Sequence, residues 1–325
     1  MYRRKLLAAP ALALALPGAA RAQPASAPWP DRAVTLVVPL PPGGTTDAIS
    51  RAFAARMADA LGRPVVIDNR PGAGANLAYQ HVATQRPDGY TVLMGINSLA
   101  VNPALRKDLP YQPQRDFAPV SLVARGAFVL CVHPGLAVRD VAGLVAMAKA
   151  DPGGLDQAST GAGSLNHLAG ALFQQRAGVQ FNHVVYRGGP QASADVIAGR
   201  VPLIFLAILE ALPFLADGRL RGLAVTSPGR SAALPQVPTV AEAGWPGYAV
   251  EFWQGLFVPA ATPPSVVARL HRAAEVAAQD AALLADMAAR GITIAASAPA
   301  ELGRLLAEET AAWTRLAEAT GLTAE

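Results

Sequence analysis

Four glycine-rich turns hold the residues best placed to do chemistry. The first is Pro41-Pro-Gly-Gly-Thr45-Thr46-Asp47, which leads from an apolar run into a helical pattern. Its glycines Gly43 and Gly44 let the backbone approach a ligand closely. Thr45 or Thr46 can cap the helix, whose first N–H groups lack partners and favour an anion. An ordinary capped turn is the plainer reading. The second, Ser159-Thr-Gly-Ala-Gly-Ser-Leu-Asn-His167, also opens a helix and offers the hydroxyls of Ser159, Thr160 and Ser164, the Asn166 amide, and backbone donors at Gly161 and Gly163. The third is Pro71-Gly-Ala-Gly-Ala-Asn76, and the fourth is Tyr186-Arg-Gly-Gly-Pro190 ahead of Asp195. His167 serves as a packing residue or as a general base. Asp195 bonds backbone or accepts from a ligand. Arg187 is a solvated surface cation or a ligand partner.

The common catalytic and nucleotide motifs fail. No glycine-rich loop ends in Gly-Lys-Ser/Thr, since the only lysines are Lys5, Lys107 and Lys149. Gly72-Ala-Gly74 and Gly161-Ala-Gly163 begin a dinucleotide fingerprint, but Leu77 and Asn166 stand at the third glycine. No Gly-x-Ser-x-Gly elbow surrounds Ser164. The five histidines lack close metal-ligand spacing, and one cysteine rules out a disulfide framework. No cofactor or metal is expected. Cys131, inside Phe128-Val-Leu-Cys-Val132, reads as a small buried hydrophobe.

The elements that must position these turns alternate strand and helix. Thr35–Pro39, Val65–Ile67 and Tyr90–Met94 read as strands. Ile49, Phe53, Met57 and Leu61 recur every four residues along a helix from Ala48, and Asn76–Gln85 reads as a second helix. This β-α-β-α-β order predicts a parallel sheet covered by helices. A second series follows: strands at Phe128–Val132, Val184–Tyr186, Val201–Leu206 and Leu223–Thr226, with helices at Val138–Lys149, Leu165–Gln175 and Gln191–Ala198. Val201–Leu209 is a nine-residue apolar run, the length of a buried strand. A proline-rich loop, Ser227–Pro246, precedes a returning strand at Leu256–Val258, and Pro263–Arg290 and Pro299–Ala319 read as amphipathic helices. Trp245, Tyr248, Phe252 and Trp253 cluster near the return crossing, where they pack a core or hinge or form a stacking platform. Two α/β lobes joined by more than one crossing fit this order, with glycine-rich turns at strand C-termini, where such sheets bind ligands.

Charge argues against a polyanion partner. The formal charge is +4, but residues 1–22 hold four of the 27 basic residues and no acid, so the remainder balances at 23 against 23. No nucleic-acid partner is expected. The same segment has a basic start (Met1–Lys5), an apolar stretch (Leu6–Leu16) and Ala20-Arg21-Ala22 before Gln23. It reads as an export signal cleaved near Ala22, which predicts an exported, soluble mature chain.

These motifs, in this order along nearly the whole mature chain, resemble the periplasmic solute-binding proteins of tripartite tricarboxylate transporters, the Bug family. The matching stretches are Val37–Asp47, Asn69–Asn76, Pro87–Thr91, Ser159–Gly170, Val185–Gly189, Leu223–Thr226, Leu234–Gly244 and Gly255–Pro263. Leu40 stands where an aromatic is frequent, Ala75 where glycine is, and Arg187 where lysine is. The resemblance implies an α/β, two-lobed type II periplasmic-binding-protein (Venus flytrap) fold, each lobe a mixed, mostly parallel sheet flanked by helices. Lobe 1 is expected to span residues 23–124 and 254–325, and lobe 2 residues 125–253. It implies a non-enzymatic receptor that traps a small organic carboxylate (dicarboxylate, tricarboxylate, acidic amino acid or aromatic acid) between its lobes. The expected partners are the membrane subunits of a tripartite transporter or, alternatively, a sensor histidine kinase; a periplasmic enzyme acting on a carboxylate is the further alternative. The residues it implies are Gly43, Gly44, Thr45, Asp47, Asn76, Asn97 and Ser98 from the first lobe, and Thr160, Gly161, Ser164, His167 and Asp195 from the second.

Overall fold

The computed structural model describes residues 29–161 and 163–320; the export signal assigned to residues 1–22 lies outside them. The first part is a βαβ series: β1 (Val34–Val38), α1 (Thr45–Leu61), β2 (Val65–Asn69), α2 (Asn76–Ala83) and β3 (Thr91–Ile96). β1 lies between β2 and β3, parallel to both. Its side chains bury on both faces: Leu36 packs with Ile49, Phe53 and Met57 of α1, while Val37 packs with Tyr79, Leu93 and Trp253. A central parallel strand covered by helices on both faces needs such an unbroken apolar run.

After α3 (Ser98–Leu105) and the single turn α4 (Pro113–Asp116), the chain enters the 16-residue strand β4 (Phe117–Val132). The second part holds α5 (Val141–Ala150), β5 (Asp156–Ser159), α6 (Leu165–Ala177), β6 (Asn182–Val185), α7 (Gly189–Ile197), β7 (Leu203–Ala207), α8 (Ile208–Ala216) and β8 (Arg221–Val225). The return strand β9 (Glu251–Pro259) leads to α9 (Pro264–Ala278), α10 (Ala281–Ala289), β10 (Ile292–Ile294) and α11 (Pro299–Thr320).

The strands run in the order β2-β1-β3-β9-β4-β7-β5-β6, with β10 and β8 also paired to β4. β4 is the spine. Phe117–Ala127 pairs antiparallel with β9, while Phe128–Val132 pairs antiparallel with β7 and, along Val129–Val132, with β8. Fully buried Thr226 stitches the change of partner. Its Oγ1 accepts from Phe128 N–H (2.9 Å) and donates to Val250 C=O (2.6 Å), while Val250 N–H donates to Thr226 C=O (2.8 Å). The outward crossing, the end of β8 and the return crossing are therefore tied together at one point.

Several sequence expectations change. α1 begins at Thr45 with Gly44 as its cap residue, so Thr45 and Thr46 lie inside the first turn and neither caps it. β4 starts 11 residues before the expected Phe128; register shifts at Pro119/Ser121 and Leu122/Ala124 break the alternation that would have announced it. The run Val201–Leu209 divides into β7 and the start of α8. The helix expected over Pro263–Arg290 is two helices, because Asp280 stops the first and caps the second, accepting from Leu283 N–H at 2.7 Å. Cys131 is fully buried. Among the described residues no helix is long and apolar enough to cross a membrane.

Candidate functional site

Five helices begin at one cavity. Its lining includes Gly44 and Thr45 from the start of α1, Asn97 and Ser98 from α3, Ser164 and Leu165 from α6, Gly189 and Pro190 from α7, and Ala207 ahead of α8. The cavity measures about 130 Å³. Each helix start presents backbone N–H groups and the positive end of its dipole, contributing about 0.3–1 kcal/mol toward an anion. Apolar walls come from Leu40, Ile96, Phe128, Phe205, Phe252 and Trp253. Phe252 and Trp253 therefore face the cavity, and Phe252 packs on Phe128 with centroids 5.5 Å apart. Trp245 and Tyr248 instead pack on Phe173 beneath α6. No lysine, arginine or histidine lines the cavity among the described residues.

Seven of the twelve residues singled out in the sequence line this space: Gly44, Thr45, Asn97, Ser98, Thr160, Gly161 and Ser164. Asn97 is braced from both sides. Its Oδ1 accepts from Trp253 N–H (2.9 Å) and its Nδ2 donates to Glu309 (3.2 Å). Ser98 Oγ is hydrogen-bonded to Tyr79 OH (2.6 Å). Thr160 Oγ1 (3.0 Å) and Ser164 Oγ (2.6 Å) both reach Asn166 Oδ1, and Ser164 Oγ also reaches Gly161 C=O (2.6 Å). Asn166 is thereby fixed at the start of α6. It lines the cavity, and its Nδ2 has no acceptor among the described residues. The sequence shows this amide, but not that its oxygen is consumed and its donor end is left over.

Five expected residues do not line the cavity, and each has a structural task. Gly43, at φ +88°, donates its N–H to Asp47 Oδ2 (3.0 Å). That carboxylate also accepts from Arg51 Nε (2.9 Å) and Asn69 Nδ2 (3.0 Å). Burial opposes its charge, but the Arg51, Gly43 and Asn69 bonds outweigh it and hold its pKa below the ordinary value. Asp47 braces the turn through these three bonds. Asn76 accepts from Tyr111 OH and from Asn102 Nδ2 (2.8 Å), behind the cavity wall. Asp195 accepts from Tyr186 OH (2.8 Å) and pairs with Arg200. Arg187 is exposed.

His167 points into lobe structure as well. Its Nδ1 accepts from Gly163 N–H (3.1 Å), and its ring stacks on His183 with centroids 3.8 Å apart. Burial, then the neighbouring His183, lowers its pKa to about 4. An unfolded histidine, near 6.5, binds more protons than this ring between pH 6.5 and 4. Stability therefore falls as pH drops through that window and levels off below it. At about 1.4 kcal/mol per unit the full shift is roughly 3 kcal/mol, which solvent screening reduces to about 1–2 kcal/mol. Urea unfolding at pH 7.5 and 5.0 is expected to show a smaller acid loss in His167→Gln than in the parent. The comparison isolates this ring from Glu210 and Glu309, whose pKa values burial raises.

Glu210 was not anticipated. It sits in the first turn of α8, and its Oε1 accepts from Thr45 N–H at 2.6 Å, across 165 residues of sequence. The carboxylate lies close to two glycines. A Cβ on Gly44 would sit 3.3 Å from Oε1, and one on Gly189 would sit 2.3 Å from Oε2. The open first turn of α1 is thus met by a side chain from the other lobe.

A cleft walled by helix starts from both sides of a shared spine strand is the arrangement of a solute receptor, and the family comparison agrees. The profile described as "Tripartite tricarboxylate transporter family receptor" matches residues 49–322. This chain belongs to that family. A TctC-family receptor is a solute-binding protein and not an enzyme. A relative from Pseudomonas sp. strain P51, the UPF0065 protein in the tcbD-tcbE intergenic region, is 40% identical over 315 residues, 97% of this chain and 93% of its own. A solved periplasmic transporter is 35% identical, with TM-score 0.88 over 91% of this chain and 100% of that one. An R. palustris protein solved with adipate is 34% identical, with TM-score 0.87 over 91% of this chain and 99% of that one.

Proposed function

We propose that this TctC-family receptor captures a small organic acid between its lobes in the periplasm and hands it to the membrane subunits of a tripartite transporter. The carrying observation is the convergence of five helix N-termini on one cavity with no basic side chain in its lining among the described residues. Neutral donors hold an anion there while leaving it free to depart. The solved relative with adipate supports a carboxylate as the ligand class.

The contacting set is Gly44, Thr45, Asn97, Ser98, Thr160, Gly161 and Ser164, joined by Asn166. Gly43, Asp47, Asn76, His167 and Asp195 support the loops behind it. The moving units are residues 23–124 with 254–325, and residues 125–253, turning about the crossings beside Thr226. Ligand that touches both units favours the closed state and shifts a pre-existing equilibrium. Removal of residues 1–22 accompanies export.

Native mass spectrometry of freshly purified protein, followed by calorimetry with the acid it releases, tests this reading. The double variant Thr160→Ala/Ser164→Ala is expected to keep the parent's melting profile to within a few degrees and to bind that acid at least tenfold more weakly. Unchanged affinity rejects the site. Conversion of the acid on incubation rejects the receptor role.

A further inference from the structure

The lining of the cleft contains one ionisable side chain among the described residues, and it is an acid. Glu210 lies where a ligand carboxylate would be expected, on the first N–H of α1 and against the backbone of Gly189 at the start of α7. It neutralises the two helix starts that would otherwise attract an anion at that end. Two further groups there lack partners. Gln254, 1% exposed, has an Oε1 without a donor, while its Nε2 reaches Thr46 Oγ1 at 3.2 Å. Thr45 Oγ1 is likewise buried and unpartnered. The Glu210 carboxylate and the Gln254 amide oxygen only accept, so both ask for hydrogen-bond donors, while the Thr45 hydroxyl can donate as well as accept. The opposite end, at α6, has the unspent Asn166 Nδ2 and no acid in the lining. The cleft is therefore polarised: donors at the α6 end, acceptors at the α1 end.

Building on the receptor reading above, we infer that Glu210 is the specificity residue, and that the ligand presents one carboxylate to the α6 end and a hydroxyl, amide or ammonium donor to Glu210. A dicarboxylate long enough to span the cleft puts its second anion beside Glu210, where both must shed water. Like charges so placed disfavour binding. A donor in the same place is bound by a charge-assisted hydrogen bond. Burial raises the pKa of Glu210, and the bonds from Thr45 oppose that rise.

The test is calorimetry at pH 8 with two length-matched sets: adipate, 6-hydroxyhexanoate and 6-aminohexanoate, and succinate, 4-hydroxybutyrate and 4-aminobutyrate. The protein is the full mature chain, parent and Glu210→Gln; glutamine keeps an oxygen for the Thr45 N–H. In the better-fitting set the parent is expected to bind a hydroxy or amino monoacid at least tenfold tighter than the diacid. Glu210→Gln is expected to shift that ratio at least tenfold toward the diacid. Tighter binding of the diacid by the parent, or a ratio that the substitution does not move, overturns the role of Glu210 and leaves the carboxylate receptor standing. No binding of any of the six acids by either protein overturns this assignment, while the receptor reading is decided separately by the acid that native mass spectrometry finds.

Discussion

Asn166→Asp is expected to abolish most ligand affinity while leaving the fold intact. The substitution is isosteric, and a carboxylate oxygen still accepts from Thr160 Oγ1 and Ser164 Oγ, so the turn before α6 keeps its bonds. An acid in the first turn of a helix also suits the dipole. What changes is the end that faces the cleft: an N–H donor becomes a negative oxygen. A bound carboxylate then loses a charge-assisted bond and gains a repulsion in a solvent-poor site. Losing one bond to a charged group costs about 1.5–3 kcal/mol, and the added repulsion brings the expected loss to at least ~100-fold, or about 2.7 kcal/mol. Calorimetry with the acid that the parent binds best measures it. A melting temperature within a few degrees of the parent's confirms that the fold survived.

Phe173→Ala is expected to do the reverse. Phe173 is fully buried on α6, and its ring lies 5.6 Å from Trp245, 6.1 Å from Phe205, 6.2 Å from Phe181 and 6.4 Å from Tyr248. It is the point where α6, β7 and the loop before β9 meet. Emptying such a site costs about 3–5 kcal/mol, because four rigid rings cannot collapse into the gap. Against a typical total of ~5–15 kcal/mol that is a large share. Scanning calorimetry is expected to show a drop of roughly 6–20 °C. Affinity measured well below the transition should stay within a few-fold of the parent's, since the ring makes no wall of the cleft.

What could be read from the chain depended on how local each determinant is. The turn at Gly43 and Gly44, the parallel trio of strands around it, and the start of α6 at Leu165 are set by neighbours a few residues away, and the sequence reveals them. β4 hides because Pro119 and two register shifts spoil its alternation. α8 hides because an apolar run carries no period that separates strand from buried helix. The expected strand ended at Leu206 and the apolar run at Leu209, one residue short of the acid that matters most. Nothing near Glu210 in the chain says that it will meet Thr45, 165 residues away. Asp47 shows the opposite difficulty. An acid beside a helix start serves equally as a loop brace or as a ligand acceptor, and Arg51 and Asn69, which bond Asp47 here, lie four and 22 residues away.

The placement of β9 has a consequence for biosynthesis. It lies between β3 and β4, so a growing chain that has not yet emitted residues 251–259 has no strand to join the two. The first sheet is zipped last, by the final quarter of the polypeptide, although most of its strands leave the ribosome early. Until then the edges of β3 and β4 that β9 covers stay unpaired.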